Sequence, residues 1–82
     1  MRAQEIRRRY ADTLLDALRE TNFPSGAMLA RTEAAIGDRD TLEQYIEVLM
    51  EKAQGRFPNL QLLDKINGLV ATLERMESMA AA

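Results

Sequence analysis

The chain has 82 residues, of which 46% are hydrophobic and 29% are charged, and its formal net charge at pH 7 is -2. This length predicts one domain with a single hydrophobic core of modest size, so dimerisation would be a natural additional source of stability. The nearly balanced charge gives no general attraction to nucleic acid or to an anionic membrane. Binding of either would need a local basic patch.

The sequence contains neither cysteine nor histidine. Disulfide frameworks, thiolate metal sites and Ser-His or Cys-His triads are therefore excluded, and we expect no metal and no cofactor. The first ten residues are charged from the second position and contain no apolar run. No stretch reaches the roughly 20 apolar residues of a membrane span, so we expect a cytoplasmic protein without membrane contact.

Residues 2–21 are predicted to form a first amphipathic helix. Their apolar side chains recur at steps of three and four, while charged side chains occupy the other side. Asn22 and Pro24 then favour a turn, because proline disfavours helical geometry in the residue before it. The predicted inward-facing residues are Ala3, Ile6, Tyr10, Ala11, Leu14, Ala17 and Leu18.

A second, shorter helix is predicted over residues 26–36, with Gly37 as its C-terminal cap. The third helix has the clearest periodicity, begins with a pairing of Asp40 and Glu43 similar to a capping box, and ends at Gly55. The inward-facing residues are Met28, Leu29, Thr32, Ala35 and Ile36 in the second helix, and Leu42, Tyr45, Ile46, Leu49, Met50 and Ala53 in the third.

A fourth helix follows residues 57–59, and its last residues, 79–82, are predicted to fray. It contains a glycine, Gly68, which costs about 1 kcal/mol relative to alanine inside a helix. No segment has the alternating pattern of a strand. The predicted inward-facing residues are Leu62, Leu63, Ile66, Leu69, Val70, Leu73 and Met76.

The stretch "FPSGAML", which begins at Phe23, has an echo in "FPNLQLL", which begins at Phe57. We interpret both as helix starts in which Ser25 or Asn59 caps the helix and the phenylalanine packs one turn further along. The sequence thus predicts one all-α domain of four helices built as two similar hairpins, 1–37 and 38–78, followed by a frayed tail. Any two amphipathic hairpins look alike, so a true duplication is left open.

Three consecutive arginines, Arg7, Arg8 and Arg9, form the most prominent charge run. At four-residue spacing Glu5 can pair with Arg9, and Arg8 can pair with Asp12, so we expect a largely neutralised helix face. We also expect the stem of Arg7 to cover the edge of the core. A contact with a partner is the functional alternative.

The third helix carries an acidic face formed by Asp40, Glu43, Glu47 and Glu51. Carboxylates at this spacing repel one another mildly, so a basic group is expected to lie opposite them, such as Arg8 or Arg9 of a second copy or of another protein. A metal site is not expected, because the face should be solvated. Three apolar residues lie off the main stripes and are predicted as surface anchors: Leu15, Val48 and Leu60.

The function predicted from these features is a non-catalytic protein–protein interaction or adaptor module, which could also form a homodimer. The alternative is a nucleic-acid-binding or transcription-associated accessory protein that uses the arginine-rich first helix. Nucleic acid is the less expected partner, because the third helix is acidic and lacks a cluster of base-reading side chains. We expect no catalytic residue, and Ser25 lacks the Asp-Ser-Leu context of a phosphopantetheine attachment site.

Overall fold

The computed structural model describes residues 2–22, 24–54 and 60–81, which form four α-helices. These are α1 (Ala3–Glu20), α2 (Gly26–Ala35), α3 (Arg39–Ala53) and α4 (Leu60–Ala81), and the described ranges contain no strand. The prediction of an all-α domain with four helices, the second being the shortest, is confirmed. The last helix continues to Ala81, three residues beyond the predicted boundary at 78.

The helix α3 is the central element, because it packs against both α1 and α4, while α2 packs against α1. At one end, Arg8 of α1 lies 3.8 Å from Asp38, which precedes α3. At the other end, Lys52 Nζ donates a hydrogen bond of 2.7 Å to the carbonyl oxygen of Arg19. These contacts show that α1 and α3 run in the same direction.

The other two helices run in the opposite direction. Near the beginning of α3, Arg39 forms an ion pair of 2.6 Å with Glu77, which lies near the end of α4. Gly37, just after the end of α2, lies beside the side chain of Arg7 near the beginning of α1. The four helices form a flat molecule of 39 × 32 × 17 Å.

The core is centred on α3. Because α1 and α4 both pack against α3, they bury more of its circumference than a single stripe of side chains. On the edge helix α4, six of the seven residues predicted to face inward pack into or against the core, and only Leu63 of the seven is exposed. Ile66 is buried, and the partly buried residues packed against the core are Leu62, Leu69, Val70, Leu73 and Met76. Met50 of α3 was also predicted to face inward and is exposed. The buried core residues are Leu15, Leu18, Leu29, Leu42, Tyr45, Ile46, Val48, Leu49 and Ile66.

The first of the two proline turns begins α2 as predicted. Ser25 is the N-cap, and its hydroxyl oxygen accepts a hydrogen bond of 3.2 Å from the amide of Met28. Such a cap satisfies one of the backbone amides that lack a partner in the first helical turn. The predictions for Phe23, for Gly55 and for the second turn at residues 57–59 lie outside the described residues.

The predicted boundary between α2 and α3 is wrong in two respects. Gly37 does not cap α2 in a left-handed conformation, because the chain leaves the helix through extended backbone at Ile36. Asp40 does not begin α3 either: Asp38 is the N-cap, and its Oδ1 accepts a hydrogen bond of 2.7 Å from the amide of Thr41. Since an N-cap residue must be extended, Asp38 occupies this position and Asp40 already lies within the helix.

The hydrogen bond at Asp38 gives a stability prediction. We expect Asp38→Ala to lower the free energy of unfolding by about 1 kcal/mol at neutral pH, the usual contribution of an N-cap. The matched control is Asp40→Ala, which should change it by less than about 0.5 kcal/mol. Chemical denaturation of both variants measures the difference, and an equal loss in both would contradict the cap assignment.

The same prediction has a pH dependence. The backbone amide of Thr41, followed by its side chain, lowers the pKa of Asp38 below its usual value, and Arg8 lowers it further. A carboxylate with a lowered pKa stabilises the folded state above its unfolded pKa, and this stabilisation is lost as the pH falls through the folded pKa. The two variants should therefore converge in stability below about pH 4.

Three helices are joined by one partly buried polar cluster. Glu33 of α2 accepts a hydrogen bond of 2.8 Å from the hydroxyl of Tyr45 in α3 and another of 2.7 Å from Nζ of Lys65 in α4. Tyr45 is completely buried. The cluster thus links α2 to α4, although their backbones are not in contact.

Candidate interaction surface

The three consecutive arginines lie on the exposed first half of α1, but their ion pairs differ from the prediction. Arg8 contacts Asp38 at 3.8 Å, and neither the predicted pair of Arg8 with Asp12 nor that of Glu5 with Arg9 forms within the described residues. Arg8 turns toward Asp38 because the beginning of α3 packs beside α1. This leaves Arg7 and Arg9 without an ion pair in the described part of the chain.

The acidic residues of α3 are placed as expected. Asp40, Glu43, Glu47 and Glu51 are all exposed and follow one side of the helix. Among the described residues, no group of His, Cys, Asp or Glu side chains is arranged to hold a metal ion. This face can interact with a partner through its charge, and the described part of α1 does not neutralise it.

Two of the three predicted apolar anchors are not on the surface. Leu15 is 0% exposed and Val48 is 2% exposed, so both belong to the core. Their prediction as surface residues is wrong because α1 lies between α2 and α3, and α3 between α1 and α4, so each helix buries more than one stripe. Leu60, at the first position of α4, is 76% exposed, as expected for a surface residue.

The structure instead exposes an apolar stripe of α1 that the sequence pattern had assigned to the core. Ile6 is 54% exposed and Tyr10 is 48% exposed. Both belong to a line of exposed residues separated by three, four, three and four positions, which is the repeat of a coiled-coil contact. We call this line the α1 seam; it consists of Ala3, Ile6, Tyr10, Thr13 and Ala17.

A sequence signal for the α1 seam exists. The buried residues of α1 are Ala11, Leu15 and Leu18, which are separated by four and three positions and face α2 and α3. Two interleaved lines on one helix, one apolar and the other apolar except at Thr13, indicate two contact faces. The sequence shows both lines, but it does not show which of them the domain itself covers.

An open cleft of about 540 Å³ lies where the beginning of α1 meets the end of α2 and the beginning of α3. Its charged lining residues are Glu5, Arg7, Arg8 and Asp38. The two positive and two negative groups balance, and Arg8 and Asp38 already contact each other. The cleft therefore offers no strong electrostatic selection for an anion or a cation.

The polar cluster around Tyr45 consists of side chains that are bonded to one another across helices. Burial, followed by the hydrogen bond and the charge of Glu33, raises the pKa of Tyr45 above its usual value, so the hydroxyl stays protonated and donates to Glu33. Lys65 also binds Glu33. The cluster holds three helices together, and the exposed faces of α1 and α3 are the better candidates for function.

None of the described helices is both long and apolar enough to cross a membrane. Comparison of the chain with protein-family models, curated proteins and solved structures found no match.

Proposed function

We propose that this protein is a non-catalytic protein–protein interaction module whose main contact surface is the α1 seam. The observation that carries this proposal is the exposure of Ile6 and Tyr10 on a different side of α1 from Leu15 and Leu18, which are buried in the core. Exposed apolar side chains that align along one helix face are the usual means by which helices dock onto protein partners. The flanking Arg9 adds a cation without an ion pair in the described residues.

The acidic face of α3 contributes to this proposal through its charge. Its four carboxylates lie on the exposed side of α3. The exposed Arg9 of α1 has no ion pair in the described residues, so the surface carries both acidic and basic groups that a partner can contact. Surface charges of this kind orient an approaching partner and set its rate of association more than they add affinity. The apolar seam would then supply the contact area.

A photo-crosslinking amino acid placed at position 10 tests this proposal in the cells that naturally produce the protein. If the α1 seam contacts a partner protein, the crosslinking residue that replaces Tyr10 should form one discrete covalent adduct on illumination. The matched control is the same amino acid at Ala71, an exposed position on α4. Equal or absent adducts at both positions would contradict the proposal.

The alternative function, binding of nucleic acid by α1, has less support. Arg8 is already paired with Asp38, which leaves Arg7 and Arg9 as the cations of this segment that have no ion pair in the described chain. Binding to nucleic acid gains its affinity from several simultaneous phosphate contacts. The adduct formed at position 10 distinguishes the two functions, since it contains protein in one case and nucleic acid in the other.

A further inference from the structure

We infer that the partner of the α1 seam is a second copy of this chain, with the two α1 helices packed antiparallel. This inference rests on the proposed function and names its partner. It follows from three properties of α1: the spacing of its exposed residues, the sizes of the side chains along the seam, and the charges beside them.

The spacing fits a helix-to-helix contact. In a left-handed pair of helices, the contact positions alternate at three and four residues, the positions conventionally called a and d. The α1 seam follows this rule over five positions, from Ala3 to Ala17, and all five side chains are exposed in the domain. The line therefore covers nearly all of α1, which runs from Ala3 to Glu20.

The sizes along the seam are self-complementary in the antiparallel orientation. When a positions of one helix face d positions of the other in the register centred between residues 11 and 12, Ile6 lies opposite Ala17 of the second copy and Tyr10 lies opposite Thr13. Each large side chain then meets a small one, and the pattern repeats by the two-fold symmetry of such a pair. A parallel pair would instead place Tyr10 against Tyr10 and Ala17 against Ala17.

The charges beside the seam select the same orientation. Antiparallel packing places Arg9 opposite Asp16 of the second copy, and the two-fold axis makes this contact twice. Parallel packing would place Arg2 opposite Arg7 of the second copy, where like charges repel. Arg9 has no ion pair in the described chain, and Asp16 is held by the exposed Arg19 at 2.9 Å, so both are accessible to the second copy.

The expected dimer is a weak one. Five seam residues and one flanking ion pair per copy form a small contact compared with the roughly 20 to 30 residues a side of a standard interface. Each ion pair adds little where it stays exposed to water. We therefore expect the chain to dissociate on dilution and to be dimeric only at micromolar or higher concentration.

Sedimentation equilibrium over a range from micromolar to millimolar protein measures this association directly. We expect the average mass to rise from 9.3 kDa toward that of two chains. Ile6→Glu should raise the dissociation constant by about tenfold or more, because it brings a charge into an apolar contact. The matched control Leu60→Glu changes another exposed apolar residue, on α4, and should leave the dissociation constant unchanged.

Charge reversal tests the orientation. Arg9→Asp and Asp16→Arg should each weaken the dimer, because each creates a like-charge contact across the two-fold axis. The double variant Arg9→Asp/Asp16→Arg restores opposite charges and should recover most of the wild-type affinity. A parallel dimer would show no such recovery, since Arg9 and Asp16 do not face each other in it.

Three outcomes would overturn the inference: a wild-type chain that stays monomeric at millimolar concentration, a dimer unaffected by Ile6→Glu, or a dimer disrupted by Leu60→Glu instead. Circular dichroism of each variant verifies that the helices are intact. The crosslinking experiment separates this inference from the proposed function. An adduct between position 10 and a different protein would keep the interaction module and reject the second copy as its partner.

Discussion

Replacement of Leu15 by alanine is expected to lower the free energy of unfolding by about 3 kcal/mol. Leu15 is 0% exposed in the core cluster, and removing a buried leucine side chain loses its transfer free energy and leaves a cavity. A domain of 82 residues has a total stability of roughly 4 to 12 kcal/mol. The substitution should therefore remove a large share of it, which urea denaturation followed by circular dichroism would measure.

Leu60→Ala is the matched control for this prediction, because the same side chain is truncated at an exposed position. We expect its free energy of unfolding to stay within about 0.5 kcal/mol of the wild type. Similar losses at both positions would contradict the placement of Leu15 in the core. Val48→Glu extends the test: a buried carboxylate without a partner should prevent folding, whereas at an exposed position it would be tolerated.

The second large effect is a loss in the free energy of unfolding at alkaline pH, caused by the ionisation of Tyr45. Burial and the contact with Glu33 raise the pKa of this tyrosine above its usual value of about 10. A group whose pKa is raised on folding stabilises the folded state fully below its unfolded pKa, and this contribution declines as the pH rises through the folded pKa. The unfolded tyrosine ionises above about pH 10 while Tyr45 stays protonated in the folded state, so the decline begins at the unfolded pKa. The free energy of unfolding should therefore fall by about 1.4 kcal/mol between pH 8 and pH 11.

A pair of variants isolates this contribution from other alkaline effects. The chain has two tyrosines, so Tyr10→Phe leaves Tyr45 as the single tyrosine signal. Relative to this variant, Tyr10→Phe/Tyr45→Phe should be less stable at neutral pH by about 1.5 kcal/mol, because the hydrogen bond to Glu33 is lost. The difference between the two should shrink as the pH rises above 10.

The absorbance of the tyrosinate ion gives an independent measurement in the Tyr10→Phe variant. Tyr45 should ionise well above its usual pH and together with unfolding, since the buried hydroxyl cannot lose its proton while it donates to Glu33. Ionisation near pH 10 with the helices intact would contradict the buried hydrogen bond.

Local structure was predictable because it depends on neighbours in sequence. The period of apolar residues indicated all four helices, and the pattern of proline followed by Ser25 indicated the start of α2 with its cap. The start of α3 was predicted two residues late, at Asp40, because Asp38 and Asp40 are chemically equivalent caps. Only the extended backbone at Asp38 and its bond to Thr41 distinguish them.

The candidate surface was only partly predictable, for a related reason. Glu43, Glu47 and Glu51 were placed correctly, because charged side chains on the face opposite an apolar stripe are nearly always solvated. Ile6 and Tyr10 were assigned to the core although they are exposed. An apolar period identifies a face that avoids water, whether a helix of the same domain or another chain covers it.

The sequence by itself determined the four amphipathic helices, the turn chemistry at Ser25 and the acidic face of α3, since these follow from backbone geometry and solvation within a few residues. Only the tertiary structure decided which apolar face of α1 the domain buries. Because α1 packs between α2 and α3, its face at Ala11, Leu15 and Leu18 is enclosed, while the α1 seam is left exposed. Burial depends on how many neighbours a helix has and on which side they lie, and that is a property of the whole fold.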